Sequence, residues 1–231
     1  MGARERIISG LNWVFEKVEK AIILEDDCIP SKEFFLFMEK MLTRYQSNTK
    51  IASVCGSNFL SHWNKTKESY FYSKYFNGWG WGTWSDRWQK FNSKLDNLEK
   101  VRKSKFLKSY LDSYRAYIYW HWILDRIKNG KLDAWDYIWI FENFINEKLH
   151  VTPKMNLISN IGFGLDSSNT KSYPVPYIPA NKIESKFDLN LASPINENSN
   201  REYDREVEDK IFSKSFLNRL LWIFKKLRIK K

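Results

Sequence analysis

Ala21-Ile22-Ile23-Leu24-Glu25-Asp26-Asp27-Cys28-Ile29-Pro30-Ser31 joins four apolar residues directly to three acids. The apolar run reads as a short strand of the buried kind. A strand that ends in carboxylates sets them at the carboxyl edge of its sheet, where open α/β sheets take their ligands. Clustered carboxylates repel one another unless a cation lies between them. An all-oxygen donor set suits a hard divalent ion, Mg²⁺ or Mn²⁺, which also holds phosphate oxygens. An acidic triplet alone is most often solvated surface charge. The strand in front of it is what favours the metal reading, with Asp27 as the ligand and Glu25 and Asp26 as its polar surround.

Outward from the triplet, the pattern is that of an α/β domain. Residues 4–19 place Ile7, Leu11, Val14 and Val18 at helical spacing, with Ile8 and Phe15 beside them. Pro30-Ser31 opens a second helix, with Ser31 as N-cap and Glu33 in the first turn. Phe34, Met38, Met41, Leu42 and Tyr45 share one face of it. Ile51-Ala52-Ser53-Val54, closed by Gly56, is a second strand. Helix–strand–helix–strand predicts a largely parallel sheet.

Later segments carry the remaining candidates. Tyr70-Phe71-Tyr72-Ser73 suits a strand, and Gly78-Trp79-Gly80-Trp81-Gly82-Thr83-Trp84 alternates glycine with aromatics. Trp79, Trp81 and Trp84 read first as core and second as the floor of an acceptor pocket. Helices are predicted over 104–128 and 133–147, parted by Asn129-Gly130. Asp136 sits among Trp135, Ile138, Trp139 and Phe141 on the latter. It is either a first-turn acid favoured by the helix dipole or a general base whose pKa its apolar surround raises. Residues 156–170 run from a short strand into a glycine- and hydroxyl-rich loop, a turn or a lid.

Composition narrows the function classes. The 231 residues are 43% hydrophobic and 28% charged, as in soluble globular chains. Cys28 and Cys55 have no CxxC spacing and read as buried thiols of a reducing compartment. His62, His121 and His150 are too scattered for a zinc site. The start lacks an apolar signal core and no run has membrane-spanning length, so the expected location is the cytoplasm. Of the net charge of +11, residues 210–231 hold eight Lys/Arg and no acid, which leaves +3 for the rest. The basic character belongs to a tail, not to a nucleic-acid face. Phe212, Phe216, Leu220, Phe224 and Leu227 line one side of that tail. It predicts an amphipathic helix over 204–231 drawn to an anionic membrane surface, or else docked on its own domain. The division is a domain over 1–170, an irregular connector over 171–203 and the helix of 204–231.

Taken in order, Ile22 to Ser31 with Phe34-Phe35, Gly78 to Trp84, Trp135-Asp136-Tyr137-Ile138-Trp139 and Pro153 to Gly164 resemble bacterial glycosyltransferases of the GT-A, family-2-like type. They are distantly similar to the inverting N-acetylglucosaminyltransferase I group, which shares a Glu-Asp-Asp motif. The resemblance spans residues 2–190. It implies a GT-A-like (Rossmann-like) mixed sheet with flanking helices, a nucleotide-diphosphate-sugar donor, a saccharide or lipid-linked saccharide acceptor, and Mn²⁺ or Mg²⁺ on Asp27. The loop around Asn160–Thr170, with Gly162 and Gly164, resembles the one that orders over the donor; Glu25 and Asp26 then read as its polar surround, and Trp79, Trp81 and Trp84 as the acceptor floor. The inverting relatives' catalytic aspartate maps onto Asp136, with Tyr137 at the neighbouring register. Family chains begin with further strand–helix units, so the expectation is an N-terminally truncated member at the inner membrane face. Its alternative role is an inactive remnant held there by the basic tail.

Overall fold

A computed structural model of the chain describes residues 2–94, 96, 101, 105–162, 187–188 and 190–213. In chain order the elements are α1 (Ala3–Phe15), β1 (Lys20–Ile23), β2 (Cys28–Pro30), α2 (Lys32–Arg44), β3 (Ile51–Cys55), β4 (Tyr70–Ser73), β5 (Trp81–Trp84) and α3 (Ser85–Trp88). They continue with α4 (Phe106–Tyr110), α5 (Tyr114–Lys128), α6 (Trp135–Ile145), β6 (Leu149–Pro153), β7 (Ile158–Asn160) and α7 (Arg201–Val207). A π-helical turn, Glu208–Phe212, follows α7.

The main sheet has the order β1-β5-β3-β6-β4, and β2 pairs with β7 in a separate two-stranded ribbon. Among the described residues only β3 and β6 are parallel neighbours in this sheet; the β1–β5, β3–β5 and β4–β6 pairings are antiparallel. The sheet is therefore mixed, which corrects the expectation of a largely parallel one. The antiparallel strand β5 inserts between β1 and β3, so these two run the same way without touching. Strand β1 is an edge, not a buried strand: Ile22 is 38% exposed and Leu24 39%. The apolar run 21–24 looks buried in sequence, but among the described residues only one flank of the strand is paired.

Helices cover both faces of the sheet. On one face α2 packs Phe34, Phe37, Met38, Met41 and Leu42 against Val54, Tyr70, Tyr72, Trp84 and Val151. This helix starts where the sequence says it should. Ser31 is extended, and its Oγ accepts from the Phe34 N–H at 3.2 Å. On the other face α1, α5 and α6 bury Leu11, Phe15, Trp120, Leu124, Trp135 and Trp139 against Ala52, Phe71 and Trp81. Gly130, at φ +64, closes α5 in the left-handed conformation that a helix C-terminus needs.

The predicted helix over 104–128 is two helices. It breaks at Leu111–Ser113, where the Ser113 N–H is given to Glu208 Oε2 and Asp112 pairs with Lys74 and Arg201. The last helix begins at Arg201, capped by the Asn200 side chain. Its first dozen residues are part of the domain: Tyr203, Val207 and Phe212 lie in the α5/α6 core. The connector residues 163–186 and the tail 214–231 lie outside the described residues.

Candidate active site

Three strands deliver their ends to one edge of the sheet. Because β1, β3 and β6 run in one direction, Leu24, Gly56 and Lys154 all emerge there. Gly80, which precedes the oppositely directed β5, arrives at the same edge. The Gly56 N–H donates to the Gly80 carbonyl at 2.7 Å, and the Leu157 N–H donates to the Gly56 carbonyl at 2.8 Å. Gly80 has φ +61, and a Cβ there would lie 2.6 Å from Ile158 Cδ1 and 3.2 Å from Leu24 Cδ2. The glycines of the 78–82 run thus serve close packing against neighbouring side chains.

The acidic triplet sits on a turn after β1, closed by the Cys28 N–H on the Glu25 carbonyl at 3.1 Å. The chain then enters β2, and the β2–β7 ribbon opposes Cys28 to Asn160. This ribbon brings the Asn160 segment onto Asp27. Asn160 Nδ2 donates to Asp27 Oδ1 at 3.0 Å, and Asn160 Oδ1 accepts from the Gly162 N–H at 2.8 Å. The Ile161 N–H donates to the Asp27 carbonyl at 2.9 Å. Gly162 lies against the Asp27 carboxylate so closely that any Cβ would collide with it.

Asp136 arrives from the opposite helical layer, in the first turn of α6. Its carboxyl pKa is raised by burial, against the pull of the backbone N–H groups of Tyr137 and Asp136 itself. Its charge bears on Glu25, whose own pKa is pushed up to about 7. Burial of the Glu25 carboxyl is the largest cause, followed by the charges of Asp27, Asp136 and Asp26. The residue as a whole is solvent-exposed, while its carboxyl turns in among these neighbours. The hydroxyl of Tyr137, the alternative register, shares a hydrogen bond of 2.6 Å with that of Tyr119.

Glu25, Asp27 and Cys28 each bring a ligand-type atom within 4.8 Å of one another. The donor chemistry divides this set. Burial, with the charges of Asp27 and Glu25, pushes the Cys28 thiol up to about 12. It is therefore a protonated, soft group unsuited to a hard cation. The two carboxylates, held together against their repulsion, fit Mg²⁺ or Mn²⁺.

Trp81 and Trp84 do not face a ligand. Trp81 is 1% exposed and stacks on Trp135 at 5.5 Å; Trp84 is 2% exposed and donates Nε1–H to the Leu42 carbonyl. Their strand is covered by helices on both faces, so two of the three proposed acceptor residues are core. Trp79, at the mouth of the same edge, remains half-buried. Gly164 lies outside the described residues. Strand β2, only three residues long, carries no periodic signal in the sequence, although Pro30 marks its end. Among the described residues no helix is long and apolar enough to cross a membrane. No protein-family model matches this chain, and no curated protein is significantly similar to it.

Proposed function

We propose that this chain is a metal-dependent glycosyltransferase of GT-A type, acting on a nucleotide-diphosphate sugar and a saccharide or lipid-linked saccharide acceptor. One observation carries the reading: segments 25–27 and 160–162, far apart in sequence, meet at the carboxyl edge of the sheet, where the charge of Asp136 reaches Glu25. Asp27, with Glu25 beside it, would hold Mn²⁺ or Mg²⁺. That ion supplies charge neutralisation to a departing diphosphate. Asn160 and Gly162 fix the Asp27 carboxylate. Asp26 stands on the exposed side of the turn, open to donor hydroxyls. Asp136 accepts the proton from the acceptor hydroxyl, and its raised pKa suits it to that work. Attack by that oxygen on the anomeric carbon, with departure of the diphosphate, gives inversion. Trp79 is the aromatic left to meet the acceptor.

The experiment is donor turnover. With Mn²⁺ and a panel of nucleotide-diphosphate sugars, nucleoside diphosphate release is expected. It should fall by about 10²–10⁴ in Asp136→Asn, the range of general base catalysis, and should vanish in Asp27→Ala. Turnover that is indifferent to both substitutions removes the reading. We also place the basic tail at an anionic membrane surface, on its eight Lys/Arg over residues 210–231. Because residues up to Phe212 belong to the core, the proper deletion starts at Lys214. Loss of salt-sensitive binding to anionic liposomes on that deletion is expected.

A further inference from the structure

Strand β1 has the sequence of an interior strand and stands at an open edge. Ala21 to Leu24 is an unbroken apolar run, the pattern of strands buried on both faces. Edge strands are commonly guarded by charge or proline instead. Among the described residues its backbone is unpaired on one flank. The Ser85 N–H donates to the Glu19 carbonyl at 2.8 Å, and the antiparallel register with β5 continues from there. Glu19, Ala21 and Ile23 therefore turn their N–H and C=O groups to β5, and Lys20 and Ile22 turn theirs outward.

Apolar side chains are exposed along the same flank. Ile22 and Leu24 share one face of β1, and Val18 precedes it. Lys20 Nζ reaches Thr43 Oγ1 at 3.4 Å and Gln46 Oε1 at 3.3 Å, so α2 runs back along β1. Phe35, about two turns before Thr43, stands toward the Leu24 end and is 48% exposed. The other edge of the sheet is closed. Ser199 bridges to Tyr72, and the Asn200 N–H donates to the Tyr72 carbonyl at 2.7 Å. Among the described residues β1 is thus the edge at which the sheet can grow.

A second copy can add there in one closed way. A head-to-tail contact would need the flank of β4, which is occupied, so β1 must meet β1 across a two-fold axis, antiparallel. With the axis at Ile22, the outward backbone groups of the two strands face one another and Ile22 opposes Ile22. Lys20 of each copy comes beside Leu24 and the exposed Asp26 of the other. This register sets apolar against apolar and cation against acid. We propose that two copies of this chain pair through β1 into one continuous sheet. A standard interface takes about 800 Å² from each partner. A strand of four residues supplies less, so the dimer is a weak one, with Kd in the micromolar range. The pairing does not depend on the reaction proposed above.

The test is sedimentation velocity of the full chain without lipid, from about 1 to 100 µM, which brackets a micromolar Kd. A monomer–dimer equilibrium is expected. Ile22→Lys, a charge of the kind that guards natural edges, should abolish the dimer over that range. Lys20→Asp and Asp26→Lys each set like charges together twice per dimer and should weaken association by about tenfold, while the two combined should restore it. Thermal melts check folding. Ile22→Pro, which removes an outward N–H, replaces Ile22→Lys if that variant does not fold. A monomer at every concentration overturns the proposal. So does a dimer that the substitution at Ile22 leaves intact, or a double charge reversal that associates no better than the single ones.

Discussion

Asn160 donates to the Asp27 carboxylate at 3.0 Å across 133 positions of sequence. The bond spends one lone pair of Asp27 Oδ1 and fixes the carboxylate's direction. The same Asn160 side chain accepts from Gly162, whose missing Cβ leaves room for the other carboxylate oxygen. Residues that orient a metal-binding carboxylate are worth about 10–100-fold in metal affinity. Asn160→Ala and Gly162→Ala are each expected to weaken Mn²⁺ binding, read by electron paramagnetic resonance, by at least tenfold, with melting temperatures near wild type. The alanine at 162 acts by displacing Asp27 and the one at 160 by freeing it.

Glu25 makes that affinity depend on pH. With its pKa at about 7, it is protonated through the acid range and must release its proton to bind a cation. Mn²⁺ affinity is expected to climb between about pH 6 and 8, with uptake of the ion coupled to release of a proton. Glu25→Gln should weaken binding and flatten this slope. A slope unchanged in that variant assigns the proton elsewhere.

Trp79 and Trp81 separate a surface role from a core role within three residues. Trp81 stacks on Trp135 and contacts Phe76 at 4.9 Å, so Trp81→Ala should cost about 3–5 kcal/mol of stability. Trp79→Ala should cost under about 2 kcal/mol and raise the acceptor KM with little change in stability. Urea unfolding and acceptor titration read the two effects.

What the sequence carried was local. Ser31 and the Phe34/Met38/Met41 face were sufficient for α2, because a side-chain cap and a 3.6-residue period are written in neighbouring residues. The existence of β1, read over 21–24 and found over Lys20–Ile23, was legible for the same reason. The place of β1 in the sheet was not, since the partner that decides it, β5, lies some sixty residues on and returns antiparallel. The identity of Trp81 and Trp84 says that they are large and flat; only the helices on both faces of β5 make them core. Asp136 stands out in the sequence for its apolar neighbours, whereas the nearness of its charge to Glu25 depends on tertiary placement.

Asp204 gives stability its own pH dependence. It is fully buried, its Oδ1 accepts from Ser73 Oγ at 2.6 Å, and Lys74, Glu208 and Tyr75 surround it. Burial pushes its pKa up to about 7 from an ordinary 3.8, outweighing the charge of Lys74. Between those values the native state binds the proton that the unfolded chain has released, so stability contributed by Asp204 is lost as pH rises from about 4 to about 7. His150 acts in the opposite sense: burial lowers its pKa to about 3, so its contribution is lost as pH falls below 6.5. That term is common to wild type and variant and cancels in their difference. The melting temperature of Asp204→Asn minus that of wild type is therefore expected to increase from pH 5 to about 7 and then to level off. A difference independent of pH would place the titrating proton on Glu208, the other buried acid beside Lys74.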